Sequence, residues 1–174
     1  GLRTEDQPYD LDIIVFATGF DAMTGTLLNM GITGTDGRKL EEAWEGGPRT
    51  YLGLQMAGFP NFFTVTGPGS PSVLANMPVA IEQHVEWISD CIEHLYSQDF
   101  SRIEATDEAQ ETWVDHVREA GEATLFPRAN SWYVGANVPG KSRVFLPYVD
   151  GMVAYRDKCD DVAQNNYDGF ITSN

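Results

Sequence analysis

Two stretches combine residue types in a way that would serve ligand chemistry. The first is Gly67-Pro-Gly-Ser-Pro-Ser72, which joins the apolar run Phe62-Phe-Thr-Val-Thr66 to a helical pattern beginning near Pro78. Glycines let a ligand approach the backbone, and the unpaired N–H groups at a helix start attract negative charge, so the turn would suit a phosphate or a cofactor's carbonyl edge. Equally, Gly and Pro here would do no more than set the backbone angles of a tight turn. The stretch is not a G-x-G-x-x-G fingerprint, because Ser72 stands where the third Gly belongs, and no such fingerprint occurs elsewhere in the chain. The second stretch, Asn130 to Arg143, places Lys141 and Arg143 beside Trp132, Tyr133, Gly135 and Gly140 in a chain otherwise short of base. It reads either as a mobile loop closing over an anionic, ring-containing ligand or as a long surface connection with an anchoring Trp.

Other reactive side chains form no constellation. His84, His94 and His116 share no metal-ligand spacing with each other or with a Cys or acidic cluster, which argues against a metal site. Cys91 and Cys159 read as small buried residues on helices, and two cysteines provide no disulfide framework. Ser70 lacks the Gly-x-Ser-x-Gly context of a hydrolase nucleophile. Eleven Lys and Arg against 26 Asp and Glu give a net charge of −15, which excludes non-specific nucleic-acid binding and disfavours an anionic membrane surface. No apolar run approaches the roughly 18 residues of a membrane span, and the first residues lack the order of a signal peptide, so a cytoplasmic location is expected.

The elements that would position these stretches point to an α/β fold. Ile13 to Ala17 is apolar without alternation, the pattern of a strand covered on both faces in a parallel sheet, and Phe62 to Thr66 reads as a second such strand. Two strands cannot make a covered sheet, and there is no initiator Met, so the 174 residues are expected to be a fragment of a larger α/β protein. The Gly-rich stretch between the strands suggests turns and a small β excursion near Thr50 to Leu54. A helix is predicted from Pro78 to about Ser97, with Ile81, Val85, Ile88, Ile92 and Leu95 inward at spacings of 4, 3, 4 and 3. A second, surface helix is predicted from Asp107 to about Ala123, capped by Thr106, with a thin apolar side of Trp113, Val117 and Ala120. After an aperiodic stretch to Pro147, a helix over Met152 to about Gln164 with Tyr155, Cys159 and Val162 inward is expected, then a short strand within Tyr167 to Thr172.

Several segments in order resemble the flavin-dependent Baeyer–Villiger monooxygenases, in particular the cyclohexanone and phenylacetone monooxygenase branch. They are Asp12-Ile-Ile-Val-Phe-Ala-Thr-Gly-Phe-Asp21, Gly47-Pro-Arg-Thr-Tyr-Leu-Gly53, Ala57-Gly-Phe-Pro-Asn-Phe-Phe63, Gly67 to Ser72 through Asn76-Met-Pro, and Ile81 to Trp87. Ser131-Trp-Tyr-Val-Gly-Ala-Asn-Val-Pro-Gly-Lys141 and Tyr167 to Phe170 complete the series; the Trp132 segment is the most specific and Ala-Thr-Gly the least.

The resemblance implies an enzyme of two dinucleotide-binding domains that uses FAD, NADPH and O₂ to insert oxygen beside a ketone carbonyl, giving an ester or lactone. Residues 1–174 would be the C-terminal segment of its Rossmann-like FAD-binding domain, with C-terminal helices and a long mobile cofactor loop at about 126–147. It further implies that Met77 and Asn76 pack by the flavin, that Leu74, Met77 and Leu146 line the ketone pocket, that Trp132 reaches bound NADP, and that Thr18 and Gly19 lie near the cofactors. Both dinucleotide fingerprints, the family's His-containing signature and its catalytic arginine are absent, so the segment alone is expected to be inactive and to need the remainder of a parent polypeptide. Two alternatives stand beside this reading: a flavin monooxygenase oxidising amines or sulfides, and a non-catalytic acidic binding module.

Overall fold

A computed structural model describes residues 1–174. The chain opens with a two-stranded antiparallel hairpin, β1 (Leu2–Arg3) and β2 (Pro8–Tyr9), and then runs without regular structure to a pair of short helices, α1 (Gly25–Asn29) and α2 (Leu40–Ala43). After a looped stretch come the long helix α3 (Met77–Ser97), strand β3 (Arg102–Ala105), helix α4 (Asp107–Glu122), helix α5 (Met152–Gln164) and strand β4 (Phe170–Ser173). β3 and β4 pair antiparallel with Ile103 opposite Thr172.

Local chemistry sets the helix ends. Pro78 occupies the first turn of α3, where its missing N–H costs no hydrogen bond. Thr106 caps α4 by accepting from the Ala109 N–H at 3.1 Å, with Asp107 and Glu108 beside the positive end of the helix dipole. The β excursion expected near Thr50 is a tight turn closed by a bridge between Tyr51 and Gln55.

The main core lies where α3, α4, α5 and β3 meet. Trp87 from α3, Trp113 from α4, and Tyr155 and Cys159 from α5 are buried there with Tyr148 and Ile103. Burying each such side chain contributes about 1.5–3 kcal/mol, and the polar ends are satisfied as the rings go in. Trp87 Nε1–H donates to the Cys159 carbonyl at 2.9 Å, and Tyr155 O–H donates to the Leu52 carbonyl at 2.6 Å. A smaller cluster of Leu40, Trp44, Met56 and Phe59 holds the first third of the chain.

Two expectations are corrected. Ile13–Ala17 and Phe62–Thr66 are not strands: no parallel sheet is present, and Val15 and Phe16 are each 81% exposed. A strand exists only through a ladder of hydrogen-bonded neighbours, and no segment among the 174 residues forms one with either run; Phe62–Thr66 has a single backbone bond to another segment, from the Thr64 N–H to the Leu54 carbonyl at 2.7 Å. The buried residues of α3 are Ala80, Gln83, His84, Trp87, Cys91 and Leu95. Of the residues expected inward, Leu95 is buried and Ile88 packs against the core, but Ile81, Val85 and Ile92 are 40, 48 and 39% exposed, so the stripe is rotated. The Trp87 and His84 hydrogen bonds fix that rotation, because aliphatic side chains offer the core no such anchor. α4 is as expected: Trp113 and Val117 face the core, and its acidic residues lie on the outer side.

Candidate functional site

The turn Gly67–Ser72 is stitched into the chain from every side. Thr50 O–H donates to the Pro68 carbonyl at 2.6 Å, Trp113 Nε1–H to the Gly69 carbonyl at 3.0 Å, and Tyr148 N–H to the Ser70 carbonyl at 2.8 Å. Gly69 has φ +84°, and a Cβ there would stand 2.9 Å from Thr50 Oγ1; one on Gly67 would stand 2.5 Å from Thr64 Oγ1. These two glycines are therefore required by close packing inside the chain, and the turn itself is turned inward rather than toward a ligand.

The turn leads into a short 3₁₀ segment, Ser72–Leu74, and then into the start of α3. Asn76 stands at the N-cap with extended backbone, yet its side chain caps nothing. No hydrogen bond reaches the N–H of Met77 or Val79. Leu74 and Met77 are half-buried and Asn76 is exposed, so an open apolar ledge lies beside unclaimed donors. Such donors at a helix start favour an electron-rich group.

Trp132 lies in a 3₁₀ turn, Trp132–Val134, stacked on Tyr133 with ring centroids 4.1 Å apart. Of the four tryptophans, Trp44, Trp87 and Trp113 each donate the indole N–H to a backbone carbonyl, whereas Trp132 does not. Its half-buried ring thus keeps a free donor.

Leu146, expected in the ketone pocket, is 2% exposed, and its backbone joins the Trp132 turn to the Gly67–Ser72 turn. Its N–H donates to the Tyr133 carbonyl at 2.9 Å, and its carbonyl accepts from the Gly69 N–H at 2.7 Å. Thr18 and Gly19 are exposed on the irregular N-terminal run, immediately before two further ties. Asn137 Nδ2–H donates to the Phe20 carbonyl at 2.9 Å, and Lys141 forms an ion pair with Asp21. The structure thus links Phe20 and Asp21, the Gly67–Ser72 turn and the Trp132–Lys141 stretch, though they are far apart in sequence. Lys141 is engaged with Asp21, and Arg143 hydrogen-bonds Asn130 at 3.2 Å.

Sequence reasoning missed Asp21, Asn137 and Thr66 as ties. The Thr66 N–H donates to His84 Nδ1 at 2.8 Å, and His84 is wholly buried. Burial pushes its pKa down to about 4. A polar residue on the core side of a helix was the available signal. Cys91 and Cys159 are also wholly buried, and burial pushes both thiols up to about 12, so neither is a ready nucleophile. The largest cleft, about 670 Å³ between α4 and α5 with Trp113 and Lys158 in its wall, contains none of the expected site residues.

No protein-family model matches the chain. It is 46% identical to an acetone monooxygenase (methyl acetate-forming) from Gordonia sp., over 95% of this chain and 31% of the relative. It is 40% identical to a Baeyer–Villiger monooxygenase from Pseudooceanicola batsensis, over 98% of this chain and 31% of the relative. The chain resembles the Baeyer–Villiger monooxygenases throughout. A phenazine N-monooxygenase from Lysobacter antibioticus is 42% identical over 98% of this chain and 31% of its own length. Among solved structures, an oxidized steroid monooxygenase bound to NADP is 51% identical with a TM-score of 0.89, covering 99% of this chain and 32% of that one. OTEMO in complex with FAD and NADP is 42% identical with a TM-score of 0.92, again covering 99% and 32%. The chain therefore spans about a third of the length of the Baeyer–Villiger monooxygenases it matches. No helix is long and apolar enough to cross a membrane.

Proposed function

We propose that this chain is part of a cytoplasmic FAD- and NADPH-dependent monooxygenase that inserts an oxygen atom next to a ketone carbonyl, giving an ester or lactone. The observation that carries this reading is the linkage of three distant segments by Asn137, Lys141 and Leu146 in a chain that matches ketone-converting relatives from end to end. The residues fit the cofactors chemically. The unclaimed N–H groups of Met77 and Val79 would hold an electron-rich edge of the flavin, as part of a Rossmann-like FAD-binding domain. Leu74 and Met77 would give the ketone a dry apolar wall, with Leu146 buried behind it. Trp132 would lend its face and free N–H to the nicotinamide cofactor, from a loop that moves as the cofactor binds. Thr18 and Gly19 would lie at the edge of the same site. Bound FAD would supply the redox chemistry, passing electrons from NADPH to O₂. The remaining cofactor contacts would come from the rest of a longer polypeptide.

The test is to express the complete polypeptide that contains this sequence, supply NADPH and a panel of ketones under isotopically labelled O₂, and analyse products by mass spectrometry. An ester or lactone carrying one labelled oxygen is the expected result. The 42% identity to a phenazine N-monooxygenase favours a second reading, oxidation at nitrogen. Labelled N-oxides with ketones left unchanged would establish that reading instead. A protein that takes up no flavin would return the chain to the class of acidic binding modules.

A further inference from the structure

We propose that His84 is a positioning residue for the flavin-facing start of α3, acting through the Thr66 N–H. The inference rests on the flavin-binding function proposed for this chain, and its own basis is geometric. Thr66 directly precedes the Gly67–Ser72 turn and holds φ 54°, a left-handed conformation that costs a non-glycine residue about 1 kcal/mol or more. Thr50, Trp113, Tyr148 and Leu146 anchor the turn to the body of the protein. His84 ties its entry to α3 itself.

Thr66 leads through the turn to Met77, and seven residues further along α3, about 10 Å up the helix, His84 reaches back to Thr66. The backbone between these points is closed into a loop, so the register of the turn and the placement of the Met77 and Val79 donors are fixed together. The imidazole cannot swing away. It is wholly buried and packs edge-on against the Tyr155 ring at 5.4 Å, while Tyr155 O–H is bound to the Leu52 carbonyl.

The hydrogen bond also sets the protonation state. The Thr66 N–H is a donor, so Nδ1 must be an unprotonated acceptor, and the ring proton sits on Nε2. Nε2 is buried with no partner. An apolar residue of similar size would avoid that unsatisfied donor, so packing alone does not account for a histidine here. The acceptor for Thr66 does.

The test uses the complete flavoprotein and two substitutions. His84→Phe keeps a ring against Tyr155 and removes the acceptor, whereas His84→Asn puts an amide oxygen where Nδ1 stands. The readouts are the FAD dissociation constant of the apoprotein, the flavin midpoint potential and the exchange protection of the Thr66 N–H. In His84→Phe, FAD affinity is expected to fall about tenfold or more, the potential to shift and Thr66 protection to disappear. His84→Asn should stay within about threefold of wild type and keep the protection. His84→Leu replaces His84→Phe should the latter not fold. Equal FAD affinities and potentials in the two variants, or no change in either, would overturn the proposal. A wild-type protein that binds no FAD would instead overturn the flavin reading, and Thr66 exchange would still report the His84 bond separately.

Discussion

Lys141 reaches back across 120 residues to pair with Asp21, and the pair is largely shielded, with the two side chains 14% and 33% exposed. Four residues before Lys141, Asn137 holds the Phe20 carbonyl, so the Trp132–Lys141 stretch is fastened at two points to the residue pair just after Thr18 and Gly19. A loop expected to present its cations to a ligand has one of them already spoken for. Its negative partner, Asp21, lies within the chain, whereas Arg143 bonds only the neutral Asn130 and keeps an uncompensated charge.

Breaking that pair should loosen the loop. Asp21→Asn and Lys141→Met are each expected to speed cleavage by chymotrypsin at Trp132 or Tyr133, with the double variant no faster than the more labile single one. The coupling energy from a double-mutant cycle should be about 1 kcal/mol, above the exposed-pair median because the pair is partly shielded. Additive effects would mean that the two charges do not act together.

Gly69 and Gly140 share a left-handed backbone, φ +84° and +79°, but differ in surroundings. A Cβ on Gly69 would stand 2.9 Å from Thr50 Oγ1, whereas one on Gly140 would meet nothing within 4 Å. Gly140→Ala should cost only the backbone term, about 1 kcal/mol. Gly69→Ala should cost about 2 kcal/mol or more, because Thr50 must also yield its bond to Pro68. Chemical denaturation of the two variants checks the difference, and equal losses would show that the turn can shift freely.

Much of the helical frame was legible. Thr106 marked the start of α4, Pro78 the first turn of α3, and Tyr155, Cys159 and Val162 the inward face of α5, because each depends on neighbours within a turn or two. Ile13–Ala17 was not, since a strand needs partners that local pattern cannot supply. The α3 face was misread because two stripes compete, and the winner, Ala80 to Leu95, is chosen by His84 and Trp87 hydrogen bonds to residues far along the chain. At the proposed site, Met77, Asn76 and Trp132 rest on resemblance alone, whereas the ties through Asp21, Asn137 and Leu146 involve pairings that no spacing reveals.

The two stripes of α3 can be told apart by mutation. Trp87→Ala should destabilise by about 3–5 kcal/mol, as it empties core volume and frees the Cys159 carbonyl. Val85→Gln and Ile92→Gln, on the half-exposed stripe, should stay within about 1 kcal/mol in the 174-residue chain. Denaturant midpoints compared at constant slope decide this; a large loss at Val85 would restore the aliphatic stripe as the buried one.

His84 should make stability sensitive to acid. Its folded pKa of about 4 lies below the ordinary value of 6.5, so as pH falls through this window the unfolded chain takes up a proton that the folded one refuses. The contribution is fully present above pH 6.5 and is lost on acidification, at about 1.4 kcal/mol per pH unit, until pH reaches about 4. Carboxylates titrate over the same range, so the comparison is with His84→Asn. The stability advantage of wild type over that variant should shrink by about 3 kcal/mol between the two limits. A pH-independent difference would place the imidazole in contact with water.

Trp132 separates binding from folding more cleanly than any other expected site residue, because it lies outside the main core and its indole N–H serves no bond within the chain. Trp132→Ala should therefore leave the thermal midpoint of the complete protein nearly unchanged while weakening NADP⁺ binding by about tenfold or more, as an aromatic face and a donor are both lost. Trp132→Phe keeps the ring on Tyr133 and removes only the donor, so it should fall between the two. FAD content should be the same in all three proteins, since nothing ties the indole to the α3 start except through the Leu146 backbone. Titration of NADP⁺, which cannot reduce the flavin, against the oxidised protein gives the order, and a Phe variant equal to wild type would assign the effect to the ring face alone.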